Sequence, residues 1–252
     1  MECIFPLLSP AFYQEGARTK PSIGSEQFAL PHSKNGPLLL LGQRNTCKTS
    51  LLFQAGVTAA KEGLHVTFIR PEPLSCLPLL VHGMPVSDPE SLALLSIRYF
   101  STAKEVTDYL GGLHESPGMP DLLLVDDLHV YMHLLHEENG YTGDPYEILA
   151  RLCCLIEDAA DFIAMKCPGS GCKVIVSSYD PNPLHVAIYN KYFKNMVSLN
   201  DGEDDIVKVS WPSKHSKISL DLKVRDDLLV PSHVDVVKSL QAAGDSSGSG
   251  CS

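Results

Sequence analysis

The chain has 252 residues, a formal net charge of −10 and eight cysteines, enough for one large α/β domain or two small ones. Its acid excess excludes coating nucleic acid through overall basicity, while leaving room for a local basic groove, and no apolar run reaches the length of a membrane span. Residues 1–6 carry an acid and an early proline where a secretion leader would be basic and then apolar, so the cysteines read as reduced thiols of the cytosol or nucleus.

Residues 1–33, rich in proline, serine and glycine, read as an irregular arm. A short apolar run at 37–41 then ends at Gly42, and Gly42, Gln43, Arg44, Asn45, Thr46, Cys47, Lys48 and Thr49 follow the P-loop pattern G-x-x-x-x-G-K-[ST], except that Cys47 replaces the last glycine. In such a loop backbone N–H groups wrap the phosphates, Lys48 reaches the β- and γ-phosphates, and the Thr49 hydroxyl ligates Mg²⁺. Three fixed positions arise by chance in a chain this long about one time in ten. Context therefore carries the assignment: an apolar strand before the loop, and after it a small, apolar helical segment at 50–60 that Gly63 stops. The Cβ and thiol of Cys47 intrude on space that glycine would leave to phosphate oxygens, which predicts a lowered affinity.

Further apolar runs of strand length at 66–69, 97–100, 122–125 and 174–176 alternate with helix-like stretches, which predicts a parallel sheet covered on both faces. Ser101 and Thr102 cap a helix over 103–113, and Asp144, Pro145 and Glu147 open one that runs to about Met165. Runs at 196–199, 206–211 and 217–224, joined by turns, predict a small antiparallel extension. The core is thus placed at 34–230, with 231–252 as a flexible tail. Charge is polarised along it: between 121 and 161 ten acids face Arg151 alone, whereas Lys208, Lys214, Lys217, Lys223 and Arg225 outnumber Asp221.

The run at 122–125 delivers Asp126 and Asp127 as a Walker B strand delivers a carboxylate to the Mg²⁺ shell, the plainer alternative being an acidic turn after a buried strand. Asp126 is the metal residue on this reading. Glu72, just after the run at 66–69, stands where a carboxylate could polarise a water that attacks the γ-phosphate, the plainer alternative being a surface glutamate that solvates a turn. Ser177 and Ser178, ending the strand that begins near Lys173, are a weaker candidate for sensing phosphate. Tyr189, Lys191, Tyr192, Phe193 and Lys194 set aromatics between cations, which suits single-stranded nucleic acid; a helix with core aromatics and solvated lysines is the alternative. His129, His133 and His136 would share a helix face but lack an evident fourth ligand, and Cys153, Cys154, Cys167 and Cys172 read as core or loop thiols, so no zinc is expected in this chain. Phe100 and Ala103 match F-x-x-A, a pattern recombinases use to grip a neighbour, but across a strand-to-helix turn.

With these residues in this order, the chain over 34–230 resembles the ATPase core of RecA-type strand-exchange recombinases and their eukaryotic paralogues. In particular it is similar to the P-loop subunit of the Shu-type complex, which pairs with a SWIM-type zinc-finger protein. The resemblance implies an α/β, RecA-like P-loop NTPase core: a mostly parallel sheet flanked by helices, with the antiparallel extension at the C-terminal end. It implies ATP and Mg²⁺ as ligands, Glu72 as the hydrolytic carboxylate with Lys48 on the phosphates, and Thr49 and Asp126 at the metal. DNA-facing loops would fall near 136–143 and 179–195, with Lys191, Tyr192 and Lys194 as binding residues. It further implies a nuclear accessory ATPase of homologous-recombination DNA repair, stimulated by DNA and weak because of Cys47. Such a subunit binds single-stranded DNA and supports recombinase filaments together with the SWIM-type partner and RecA-type recombinase paralogues; any zinc belongs to that partner. Two departures stand out, Cys47 and an arm too short for a separate helical domain, and the second argues against an autonomous filament. The alternative is a pseudo-ATPase scaffold that keeps the fold for partner and DNA binding.

Overall fold

The structure, a computed structural model, describes residues 36–115, 118–132, 144–166, 174–179, 182–213 and 216–238. In chain order, β1 (Leu38–Gly42) leads through the loop into α1 (Lys48–Lys61), followed by β2 (Val66–Arg70), β3 (Leu80–Val81), α2 (Pro89–Ala93), β4 (Leu95–Tyr99) and α3 (Ala103–Gly111). Then come β5 (Leu122–Val125), a helical turn at 128–132, α4 (Pro145–Lys166), β6 (Val174–Ser178) and α5 (Pro183–Tyr192). The chain closes with β7 (Asn195–Asp201), β8 (Ile206–Ser213), β9 (Ser216–Arg225) and β10 (Leu228–Lys238).

All ten strands form one sheet in the order β3-β10-β9-β8-β7-β1-β6-β5-β2-β4. From β7 to β4 every neighbouring pair is parallel, and β7–β8, β8–β9 and β9–β10 are antiparallel. The central strands are apolar on both sides, because successive residues feed different cores. Leu38 and Leu40 point into the layer that contains α1, while Leu39 points into the layer with α3, α4 and α5. Burial of α1 is nearly complete, since all its residues from Ser50 to Ala60 are buried, which is why its sequence shows no polar stripe. Gly63 ends it with φ of 83°, and the amide of Leu64 reaches back to the Ala59 carbonyl at 3.1 Å.

The expected caps form. The Thr102 hydroxyl accepts from the Glu105 amide at 3.1 Å and the Glu105 carboxylate accepts from the Thr102 amide at 3.0 Å, so the F-x-x-A match is a strand-to-helix capping box with Ala103 in the core. Asp144 caps α4 through the Tyr146 amide at 3.0 Å.

Three expectations change. The run at 196–199 belongs to β7, which lies parallel to β1 instead of inside the antiparallel extension, because α5 supplies the crossover that a parallel pair needs. Most of the segment at 179–195 is therefore that helix, capped by the Asn182 side chain on the Leu184 amide at 2.9 Å. Strand β10 runs on to Lys238, past the core boundary expected at 230. Asp226 and Asp227 take φ of 47° and 59°, as a tight hairpin turn demands, and Leu229, Val234 and Val236 then line the α1 side of the sheet. The arm at 1–33, the loop at 136–143, and residues 239–252 lie outside the described residues.

Candidate functional site

Strand register assembles the site before any side chain is considered. Ile69 pairs with Val125, and Val125 with Val176. One residue further on, Arg70, Asp126 and Ser177 stand in a row across β2, β5 and β6, at the edge where β1 delivers Gly42 to the loop. The Asp126 amide fixes this step by donating to the Ile69 carbonyl at 2.9 Å. Asp126 itself is fully buried. Its Oδ1 accepts from the Ser177 hydroxyl at 2.5 Å, and its Oδ2 accepts from the Thr49 hydroxyl at 2.8 Å. Arg70 brings Nε within 3.1 Å of the same Oδ2, as an ion pair too oblique to count as a hydrogen bond. Burial and the neighbouring Asp127 push the Asp126 carboxyl up, against the hydrogen bonds from Ser177 and Thr49 and the charge of Arg70.

The loop is shaped by backbone demands. A Cβ on Gly42 would sit 2.5 Å from the Leu199 carbonyl oxygen, so only glycine fits between β1 and β7. Asn45 and Cys47 take left-handed φ of 62° and 55°. The Thr46 hydroxyl closes the turn onto the Gln43 carbonyl at 2.8 Å. Lys48, buried, donates to the Gly42 carbonyl at 3.1 Å, to Thr46 Oγ1 at 3.2 Å and to the Gln43 carbonyl. Desolvation lowers the pKa of its ammonium while Asp127 and Asp126 hold it up. The half-buried Cys47 side chain packs on the core cluster around α1. Burial, then Asp201, push its thiol pKa up, so it is neutral near pH 7. Its left-handed φ adds a backbone cost that glycine would not bear.

Asp127, with φ of 55°, donates its amide N–H to Ser177 Oγ at 3.0 Å, and its carboxylate faces His129 Nδ1 at 4.0 Å. The Tyr179 amide donates to that His129 nitrogen at 3.3 Å, and the Arg44 guanidinium lies 5.1 Å from the Tyr179 ring centroid. Glu72 is exposed on the rim two residues past β2, close enough for its charge to raise Asp127. The structure thus brings Gly42, Lys48, Thr49, Asp126 and Ser177 together and leaves Glu72 outside their hydrogen-bond network.

No protein-family model matches the chain. It is 32% identical over 166 residues to the human protein ATPase SWSAP1, a match that covers 62% of this chain and 68% of the human one. The chain belongs to the ATPase SWSAP1 family. The mouse ATPase SWSAP1 is also 32% identical, over 167 residues, 62% of this chain and 56% of the mouse protein. Among solved structures the KaiC-like protein PH0186 of Pyrococcus horikoshii OT3 superposes with a TM-score of 0.55 at 16% identity, covering 79% of this chain and 89% of that one. That likeness is one of fold, and the fold is the RecA-like P-loop core expected from the motifs.

Within this family fold, the site raises a question about its metal. Thr49 and Asp126 meet as magnesium ligands would, yet the oxygen they share also carries the Arg70 guanidinium and the other oxygen is taken by Ser177. A divalent ion does not fit this donor set unless Arg70 withdraws. Motif reasoning does not single out Arg70; its signal in the sequence is a charge ending an otherwise apolar strand. Far from this edge lie Lys191 and Lys194, both exposed, flanking a half-buried Tyr192. Tyr189 and Phe193 are buried and serve the core. No group of three metal-ligating side chains occurs among the described residues, and His133 and His136 lie outside them.

Proposed function

We propose that the chain is a nucleotide-binding accessory subunit of homologous-recombination DNA repair in the nucleus, with weak, DNA-stimulated ATPase activity. It binds ATP in the loop from Gly42 to Thr49, and works on single-stranded DNA with a SWIM-type zinc-finger partner and RecA-type recombinases. The observation that carries the nucleotide part is the 2.8 Å hydrogen bond from Thr49 to Asp126, which joins the loop to the acid of β5 across the sheet edge. Lys48 supports it: its ammonium is gathered among loop carbonyls and would exchange them for phosphate oxygens. Family membership and the RecA-like strand order support the recombination part. Hydrolysis would be slow, because Glu72 stands on the rim and Arg70 competes at Asp126.

Titration of the full chain with a fluorescent ATP analogue tests the reading. Wild type should bind, and Lys48→Ala should bind at least about tenfold more weakly, a loss of about 1.4 kcal/mol. Equal binding by both would remove the P-loop assignment. Co-purification with a SWIM-type protein tests the partner separately, and failure of that pull-down leaves the nucleotide site standing.

A further inference from the structure

Arg70 does not sit near the site by accident of a long side chain. It ends a buried strand whose register with β5 sets it beside Asp126, and its side chain is only 12% exposed. Asp126, Asp127 and, on the rim, Glu72 meet three cations here, since Lys48, Arg70 and Arg44 all act on Asp127, and Arg70 touches Asp126. The local charge is therefore balanced by the chain's own residues. A divalent ion on the Thr49–Asp126 oxygen would add two positive charges against a guanidinium already in contact with that oxygen, in a buried setting where such repulsion is poorly screened. A guanidinium also carries five N–H donors and suits phosphate oxygens well.

We propose that Arg70 is a built-in counter-ion that takes the divalent cation's place against Thr49 and Asp126, so that nucleoside triphosphate binds with little dependence on magnesium. This rests on the nucleotide-binding reading above and assigns the residue that neutralises the phosphates. It also accounts for how the chain would hold nucleotide while hydrolysing it slowly: arginine supplies charge but cannot organise an oxygen ligand shell.

Two measurements on the full chain decide it. A fluorescent ATP analogue is titrated in excess magnesium chloride and in excess EDTA, using wild type, Arg70→Gln and Arg70→Lys. Wild type and Arg70→Lys should keep the same affinity in both buffers to within about threefold, while Arg70→Gln should weaken at least about tenfold in EDTA. A wild type that loses its affinity in EDTA, or an Arg70→Gln indifferent to magnesium, overturns the proposal. Electron paramagnetic resonance with Mn²⁺ and no nucleotide gives the second reading. Wild type should show no bound Mn²⁺ at Asp126, Arg70→Gln should gain a site, and adding Asp126→Asn should remove it. A wild-type Mn²⁺ site abolished by Asp126→Asn, or no site in Arg70→Gln, refutes exclusion by Arg70. Absence of nucleotide binding in both buffers sinks the nucleotide reading itself, whereas magnesium-dependent binding sinks only the role of Arg70.

Discussion

Cys47 holds a conformation made for glycine, with φ of 55° and ψ of 20° at the start of α1. A left-handed backbone costs a residue with a Cβ roughly 1–2 kcal/mol, and the side chain recovers part of that by packing against the core around α1. The strain belongs to the folded protein whether or not phosphate is bound, so it cancels from the binding equilibrium. Cys47→Gly should therefore raise stability to urea by up to about 1 kcal/mol and change nucleotide affinity by less than about fivefold. A much larger gain in affinity would show that the thiol does obstruct the phosphates. At this scale the sequence made Lys48, Thr49 and Asp126 legible, because a motif fixes their roles. Arg70 was not, since its partner is set by pairing between β2 and β5, which no local pattern states.

Among the elements, α5 was the hardest to read, and its aromatics explain why. Tyr189, Tyr192 and Phe193 between lysines look alike in sequence whether they stack on bases or fill a core. Helical spacing sends them to different places: Tyr189 and Phe193 are fully buried with ring centroids 6.1 Å apart, and the Tyr189 hydroxyl meets Ser178 Oγ at 2.8 Å. Tyr189 thereby ties α5 to the strand whose other serine bonds Asp126. Tyr189→Ala should cost about 3–5 kcal/mol in chemical denaturation, in line with large-to-small core changes, whereas Lys191→Ala should stay within about 0.5 kcal/mol of wild type. A stable Tyr189→Ala would return that ring to the list of groups free to stack. The parallel core was readable because continuous apolar runs alternate with capped helices. Strand β7 is not legible as a parallel strand because the α5 segment lacks an apolar stripe that marks it as a crossover helix, and β10 is not legible because exposed Ser232, His233 and Asp235 interrupt its apolar positions.

Across the whole molecule, register separates charges that the sequence groups together. Lys223 pairs with Ile206 at the end of the extension near the nucleotide edge, while Lys217 pairs with Pro212 at the opposite end. The basic block at 206–225 is therefore no single patch. Lys194 directly precedes Asn195, which pairs with the first residue of β1, whereas Gly42 pairs with Leu199. Five strand steps put Lys194 about 16 Å along the sheet from the level of Gly42. Lys191, Lys194 and Lys217 thus lie toward the edge opposite the phosphate loop. Any single strand bound by Lys191 and Lys194 is held by charge, at a distance from the nucleotide. The variant carrying both Lys191→Ala and Lys194→Ala should bind single-stranded DNA more weakly, with a log–log salt slope smaller by about 1.4, or roughly 0.7 for each lost phosphate contact. Fluorescence anisotropy across a salt series, with and without ATP, measures it. An unchanged slope would remove this edge from the DNA site. A slope that ATP alters in wild type but not in the variant would show coupling through the sheet from β1 to β7.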